Sequence, residues 1–124
     1  MNSSSSEILK LLVVDDDDVD RMALRRALKG TGLSFELEEV DSAQSGTTLL
    51  GTKPFDCAFL DYQLPDCDGL TLVQNLRDAG VKIPLIALTG QGSEETAVGL
   101  MKAGASDYLP ESKLSSETLS RSIQ

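Results

Sequence analysis

The chain has 124 residues, of which 40% are apolar and 25% are charged, and this suits a single domain with its own core. Its 11 basic and 20 acidic residues give a formal net charge of −9, which argues against direct binding to a nucleic-acid backbone or an anionic membrane. No apolar stretch approaches the roughly 18 residues that cross a bilayer. The N-terminus lacks the features of a secretory signal, so the sequence predicts a cytoplasmic protein.

The termini and the thiols carry little functional signal. Residues 1–7, which contain four serines, are predicted to be a flexible tail before a single domain at residues 8–124. The last helix has no cap, which is a weak sign that the domain belongs to a longer protein. Cys57 and Cys67 form no CxxC pair and the chain has no histidine, so we expect free thiols and no zinc site.

The chain begins with a strand–helix–strand pattern. Residues 8–14 are short and apolar, as in a strand covered on both faces. Gly30 and Gly32 are predicted to end the helix that follows. Residues 35–40 alternate apolar and acidic side chains, which predicts an edge strand. The apolar face of the helix is predicted to comprise Met22, Ala23, Ala27 and Leu28.

The same alternation continues to the C-terminus. Ser42 is the predicted N-cap of a weak helix at residues 42–51. Ser93 and Ser115 are predicted to start the last two helices. The remaining elements are buried strands at 55–61 and 83–90, a helix at 70–80 and a short strand at 106–110. Five strands alternating with five helices predict an α/β fold with a doubly wound parallel sheet.

Acidic residues follow two of the buried strands. In the strand order 2-1-3-4-5, the first and third strands are neighbours, so Asp15, Asp16 and Asp61 should meet at one edge, with Thr89 beyond the fourth strand. Two unit charges 4 Å apart repel by roughly 4 kcal/mol at an effective dielectric constant of about 20. Oxygen ligands alone favour a hard divalent cation, and phosphate chemistry would favour Mg²⁺.

Other aspartates have simpler interpretations. Asp17 and Asp18 are predicted to cap the first helix and face water. Asp66 and Asp68 are predicted to serve the turn and cap the third helix rather than bind metal.

Four segments together resemble the receiver domain of two-component response regulators. They are LLVVDD (11–16), FLDYQLPDCDG (59–69), IALTG (86–90) and KAGASDYL (102–109). They occur in the family's order and spacing and span nearly the whole chain. The resemblance implies a flavodoxin-like fold with a five-stranded parallel sheet, and a signalling switch rather than an enzyme.

The resemblance also implies roles for individual residues. Asp61 is the expected phospho-acceptor. Asp16, Asp61 and the backbone carbonyl of Gln63 are expected to coordinate Mg²⁺, or Mn²⁺ as the alternative, while Asp15 acts mainly through a water molecule. The Thr89 hydroxyl is expected to bind the phosphoryl group.

A second set of implied roles concerns the switch. Tyr108 is expected to pack inward when Thr89 moves. Gln63 and Gln91 are expected to tune hydrolysis of the acyl phosphate, and Gly90 to leave space for the phosphoryl group. The implied phosphodonor is a histidine kinase or phosphotransfer protein. An output domain or downstream protein would bind the face formed by helix 4, strand 5 and helix 5, and a homodimer is left open.

One position departs from the family pattern. Where the family has a lysine, usually followed by proline, this chain has Glu111 followed by Ser112. Glu111 could face solvent, Lys113 could reach back into the site, or the domain could be a degenerate receiver that is phosphorylated poorly; we favour the first account. Without proline, a cis peptide bond would cost about 3–4 kcal/mol, so we expect a trans bond.

Two other functions compete with the receiver interpretation. A haloacid-dehalogenase-like phosphohydrolase would use Asp15 as the nucleophile and Asp17 as the acid and base, but the other motifs fit the receiver. A pseudo-receiver would bind a partner independently of phosphate, and Glu111 is its main support.

Overall fold

The computed structural model describes residues 8–90 and 94–123, so the predicted tail at residues 1–7, the N-cap Ser93 and the candidate Gln91 lie outside the described residues. One parallel sheet has the strand order β2-β1-β3-β4-β5. Its strands are β1 (Leu9–Val14), β2 (Phe35–Val40), β3 (Cys57–Asp61), β4 (Leu85–Thr89) and β5 (Asp107–Pro110). The predicted doubly wound α/β fold and its strand order are confirmed.

In the described part of the chain, five α-helices connect and cover the strands. They are α1 (Asp18–Lys29), α2 (Ala43–Thr52), α3 (Gly69–Asp78), α4 (Glu94–Ala103) and α5 (Ser116–Ile123), and a 3₁₀ turn at Glu111–Lys113 follows β5. Within residues 8–90 and 94–123, no helix is both long enough and apolar enough to cross a membrane.

The sheet has a hydrophobic core on each face. Because side chains alternate along a strand, the apolar runs of β1, β3 and β4 supply both faces at once. One core packs the strands against α2, α3 and α4, and includes Leu12, Leu60, Ala87, Leu76 and Leu100. The other packs them against α1 and α5, and includes Val13, Phe59, Leu88, Leu24 and Leu119. The central strands are thus held rigidly on both sides, and their carboxyl ends form a fixed edge.

The buried face of α1 differs from the prediction. Leu24 and Leu28 are fully buried, whereas Met22 is 44% exposed and Ala23 is also exposed. The helix begins at Asp18, where the carboxylate of Asp17 accepts a hydrogen bond from a backbone N–H of the first turn. Because α1 begins at Asp18, Leu24 and Leu28, which are four residues apart, face the sheet together. Met22 and Ala23 then point towards solvent.

The predicted cap of α2 is confirmed, and Asp66 joins it. The side chain of Ser42 accepts a hydrogen bond from the Ser45 N–H. Asp66 was predicted to cap α3, and this is wrong: its two carboxylate oxygens accept from the first two N–H groups of α2, each at 2.9 Å. Asp68 alone caps α3, accepting from the Thr71 N–H at 2.7 Å. The loop after β3 is therefore tied to the start of two helices.

Candidate functional site

The register of the central strands brings three carboxylates together. Val14 of β1 lies beside Leu60 of β3, so the next residue along each strand is an aspartate at the same edge of the sheet. Asp15, Asp16 and Asp61 each offer a carboxylate oxygen, and these oxygens lie within 4.8 Å of one another. All the donors are hard oxygens, which suits a divalent cation such as Mg²⁺.

Asp15 is the buried member of this cluster. Its side chain is fully buried; one oxygen accepts from the Asp17 N–H at 3.0 Å, and Oδ2 has no hydrogen-bond partner among the described residues. Burial and, to a smaller extent, the charges of Asp61, Asp20 and Glu111 together raise the pKa of Asp15 to about 7, against the hydrogen bond from the Asp17 N–H, which lowers it. A carboxyl group in this position is stabilised either by keeping its proton or, when ionised, by binding a cation.

Asp61 is half-buried at the end of β3. Burial raises the pKa of its carboxyl group, a hydrogen bond from the Gln63 N–H at 3.4 Å lowers it, and the charges of Asp16 and Asp20 raise it. The group faces an open pocket, so it is accessible from solvent. Asp61 is therefore a carboxylate that solvent can reach and whose pKa is raised by its surroundings.

The pocket around Asp61 is acidic. Its acidic lining residues are Asp16, Asp17, Asp20, Asp61 and Glu111. The loop after β3, Gly90 directly after the end of β4 and Thr96 of α4 supply the rest of the wall, and the described lining includes no lysine or arginine. The site thus offers negative charge without a basic side chain to balance it.

Glu111 is half-buried and points into the pocket towards the aspartates, not away from the site, so the favoured expectation for it is wrong. It begins the 3₁₀ turn directly after Pro110, which lies beside Thr89 in the sheet, so it starts at the same edge as the aspartates. A Cβ atom built on Gly90 would lie 3.8 Å from Glu111 Oε1. Burial and the charges of Asp20 and Asp61 raise the pKa of Glu111 to about 7.

Lys113 does not replace the missing lysine. The residue is exposed, its carbonyl accepts a hydrogen bond from the Thr118 hydroxyl at 3.0 Å, and no ion pair joins it to a carboxylate within residues 8–90 and 94–123. The described backbone contains no cis peptide bond, as expected for the bond after Glu111.

The candidate switch residues lie on adjacent strands. Thr89 is 1% exposed, and its hydroxyl oxygen has no hydrogen-bond partner among the described residues. Tyr108 lies beside Ala87 and is half-buried against the first core. Gly90 and Gln63 are exposed at the rim of the pocket.

Asp20 also belongs to this site, although it was not predicted from the sequence. Its carboxylate lies within 4.8 Å of ligand oxygens of Asp15 and Glu111. The signal was present in the five acids among residues 15–20, which lie where β1 ends and α1 begins. Assigning Asp20 to the site would have required knowing that α1 begins at Asp18, which places Asp20 in its first turn.

The fold and the pocket define a flavodoxin-like domain whose site lies beyond the carboxyl ends of its parallel strands. The family model described as "Response regulator receiver domain" matches residues 11–122. The chain belongs to this family, and it is a signalling receiver domain of a two-component system.

Individual relatives agree with this assignment. Response regulator MprA of Mycobacterium sp. (strain KMS) is 37% identical over 113 residues, covering 91% of this chain and 48% of the relative. The chain thus spans about half the length of the curated relatives it matches. The receiver domain of the Francisella response regulator 1452 has a TM-score of 0.82 at 25% identity, covering 93% of each chain.

One similar structure carries a modification and an ion. A response regulator from Burkholderia pseudomallei, solved with a phosphorylated aspartic acid, a calcium ion and citrate, has a TM-score of 0.80 at 28% identity. The match covers 94% of this chain and 66% of that chain.

Proposed function

We propose that this receiver domain accepts a phosphoryl group on Asp61 from a phosphohistidine of a histidine kinase or phosphotransfer protein. The observation that carries the proposal is the position of Asp61, solvent-accessible and within 4.8 Å, oxygen to oxygen, of Asp15 and Asp16. The phosphorylated aspartic acid of the Burkholderia relative supports it.

Asp15, Asp16 and Asp61 would hold the divalent cation, with the backbone carbonyl of Gln63 as a further ligand. Asp15 is buried, and its Oδ2 atom has no partner within residues 8–90 and 94–123; this oxygen and the all-oxygen donor set fit Mg²⁺, with Mn²⁺ as the alternative. The calcium ion of the Burkholderia relative is consistent with a divalent ion. When bound, the cation supplies positive charge to the phosphoryl oxygens and to the carboxylates.

The transfer itself needs a nucleophile and a leaving group. A carboxylate oxygen of Asp61 attacks phosphorus, and the bond between phosphorus and the donor's imidazole nitrogen breaks. The imidazole keeps the electron pair and takes up a proton from solvent, and Asp61 becomes an acyl phosphate. The positioning of these groups is the main task of the protein in such a transfer.

Thr89 and Tyr108 would transmit the event. The buried Thr89 hydroxyl has no hydrogen-bond partner among the residues that the structure describes, so it can donate to a phosphoryl oxygen. Its movement would leave space into which Tyr108, on the neighbouring strand, packs. The face of α4, β5 and α5 would then bind an output domain or downstream protein; Val98 and Met101 of α4 are exposed apolar residues on that helix.

The test uses Mg²⁺ and acetyl phosphate, with intact mass as the readout. The wild type should gain the mass of one phosphoryl group, and Asp61→Asn should gain none. Asp78→Asn, at an exposed aspartate at the end of α3, is the matched control and should be modified like the wild type. Equal labelling of Asp61→Asn and the wild type would contradict the proposal.

A phosphate-independent interaction module is the alternative, and its motivation is that Glu111 lines the pocket at the position where the family pattern has a lysine. It predicts a folded protein that binds cations and gains no mass with acetyl phosphate. Restored labelling in Glu111→Lys would assign the difference to this one residue.

A further inference from the structure

A second group of carboxylates lies beside the first. Asp15, Asp20 and Glu111 each offer an oxygen, and these oxygens lie within 4.8 Å of one another. The three residues come from different elements: the end of β1, the first turn of α1 and the 3₁₀ turn after β5. The group shares only Asp15 with the triad of Asp15, Asp16 and Asp61.

Asp15, the residue common to both groups, has an unused ligand atom. The side chain is fully buried, yet Oδ2 has no hydrogen-bond partner among the described residues. Its other oxygen is already engaged by the Asp17 N–H. A buried carboxylate oxygen without a partner is costly, and a carboxylate can bridge two cations.

The negative charge of the two carboxylate groups exceeds what one divalent cation can balance. Five carboxylates belong to the two groups, and one divalent cation would offset two of their negative charges. Arg21, on the same helix as Asp20, donates to the Asp15 carbonyl and pairs with Asp18 and Glu39, so its charge is used elsewhere. The described lining of the pocket contributes no lysine or arginine.

We infer that the pocket binds a second divalent cation, held by Asp15, Asp20 and Glu111, with Asp15 bridging the two ions. The oxygen-only ligands select Mg²⁺, Mn²⁺ or Ca²⁺. Bridged two-metal sites place their ions about 3.5–4 Å apart, which suits two ligand groups with one member in common. The inference rests on the proposed cation site and not on phosphoryl transfer to Asp61.

The second ion would make Glu111 a metal ligand instead of an unbalanced negative charge. A lone cation on the first triad leaves Glu111 and Asp20 without a counter-ion between them, although their carboxylate oxygens lie within 4.8 Å of each other and two negative charges at that range repel. A cation between them removes that repulsion. It also places positive charge beside Asp61, where Glu111 alone would place negative charge.

The experiment counts Mn²⁺ ions on the full chain by calorimetry and records the electron paramagnetic resonance spectrum at saturation. The wild type should bind two Mn²⁺ ions with a dipolar-coupled spectrum. Glu111→Gln and Asp20→Asn should each bind one ion with an uncoupled spectrum. Asp78→Asn should match the wild type, and circular dichroism checks the fold of each variant.

Three results would overturn the inference: one ion in the wild type, two uncoupled ions in the wild type, or two coupled ions in either folded variant, Glu111→Gln or Asp20→Asn. If one variant fails to fold, the other still decides. Labelling of the wild type by acetyl phosphate separates the two proposals. A labelled protein with one ion rejects only the second site, whereas an unlabelled protein with two coupled ions rejects only phosphorylation.

Discussion

Replacing Glu111 by glutamine should stabilise the metal-free protein at alkaline pH. The carboxylate lies in an acidic pocket, where burial and the charges of Asp20 and Asp61 raise its pKa from 4.5 to about 7. The folded state therefore binds a proton more tightly than the unfolded chain, and wild-type stability falls as pH rises from about 4.5 to 7. At about 1.36 kcal/mol per pH unit, reduced for a partly exposed side chain, the gain in Glu111→Gln is about 1–2 kcal/mol at pH 8.

The assay is urea unfolding in EDTA at low ionic strength, at several pH values from about 5 to 8. The difference in free energy of unfolding between Glu111→Gln and the wild type should shrink towards pH 5, where the glutamate takes up its proton. Glu36→Gln, at an exposed glutamate of β2, is the control and should change stability by less than about 0.5 kcal/mol. A wild type as stable as Glu111→Gln at pH 8, or a difference that grows towards acid, would refute the electrostatic reasoning.

Two further predictions concern packing and use urea unfolding. Leu24→Ala should lower the free energy of unfolding by about 2–5 kcal/mol because the Leu24 side chain is fully buried. Met22→Ala should lower it by less than about 1 kcal/mol because Met22 is largely exposed. Equal losses in the two variants would contradict the observed buried face of α1. Gly46→Ala should destabilise by about 1–3 kcal/mol because its Cβ would lie 2.6 Å from Val14 Cγ2, whereas Gly51→Ala, which meets nothing within 4 Å, should stabilise by about 0.5–1 kcal/mol. A stabilised Gly46→Ala would refute the close approach of α2 to β1.

The sequence was sufficient for the fold because its strongest patterns are local. Buried runs such as residues 11–14 and 57–60 are apolar throughout, and such runs separated by amphipathic helices allow few arrangements other than a parallel sheet. The convergence of Asp15, Asp16 and Asp61 follows from the strand order, since the ends of adjacent parallel strands lie together.

Features that depend on side-chain direction could not be predicted in the same way. Asp66 lies two residues before Asp68, and both could cap α3, but the loop carries Asp66 to the first N–H groups of α2. Glu111 was expected to point to solvent because the aspartates of the site would repel its negative charge. Its direction is set instead by the turn after Pro110, which starts beside Thr89. Backbone geometry here overrides a preference worth only a few kcal/mol.

The inward direction of Glu111 would increase the electrostatic repulsion that the proposed phosphorylation of Asp61 meets. A phosphoryl group would add negative charge to a pocket where Asp16, Asp20, Asp61 and Glu111 already meet and where the described lining has no basic side chain. With a lysine at position 111, part of that charge would be offset within the chain. With a glutamate, all of it must be offset by bound ions or protons. Both the phosphorylated state and any switch driven by it would therefore depend on cation occupancy, because a ligand shifts a conformational equilibrium only by its differential affinity for the two states.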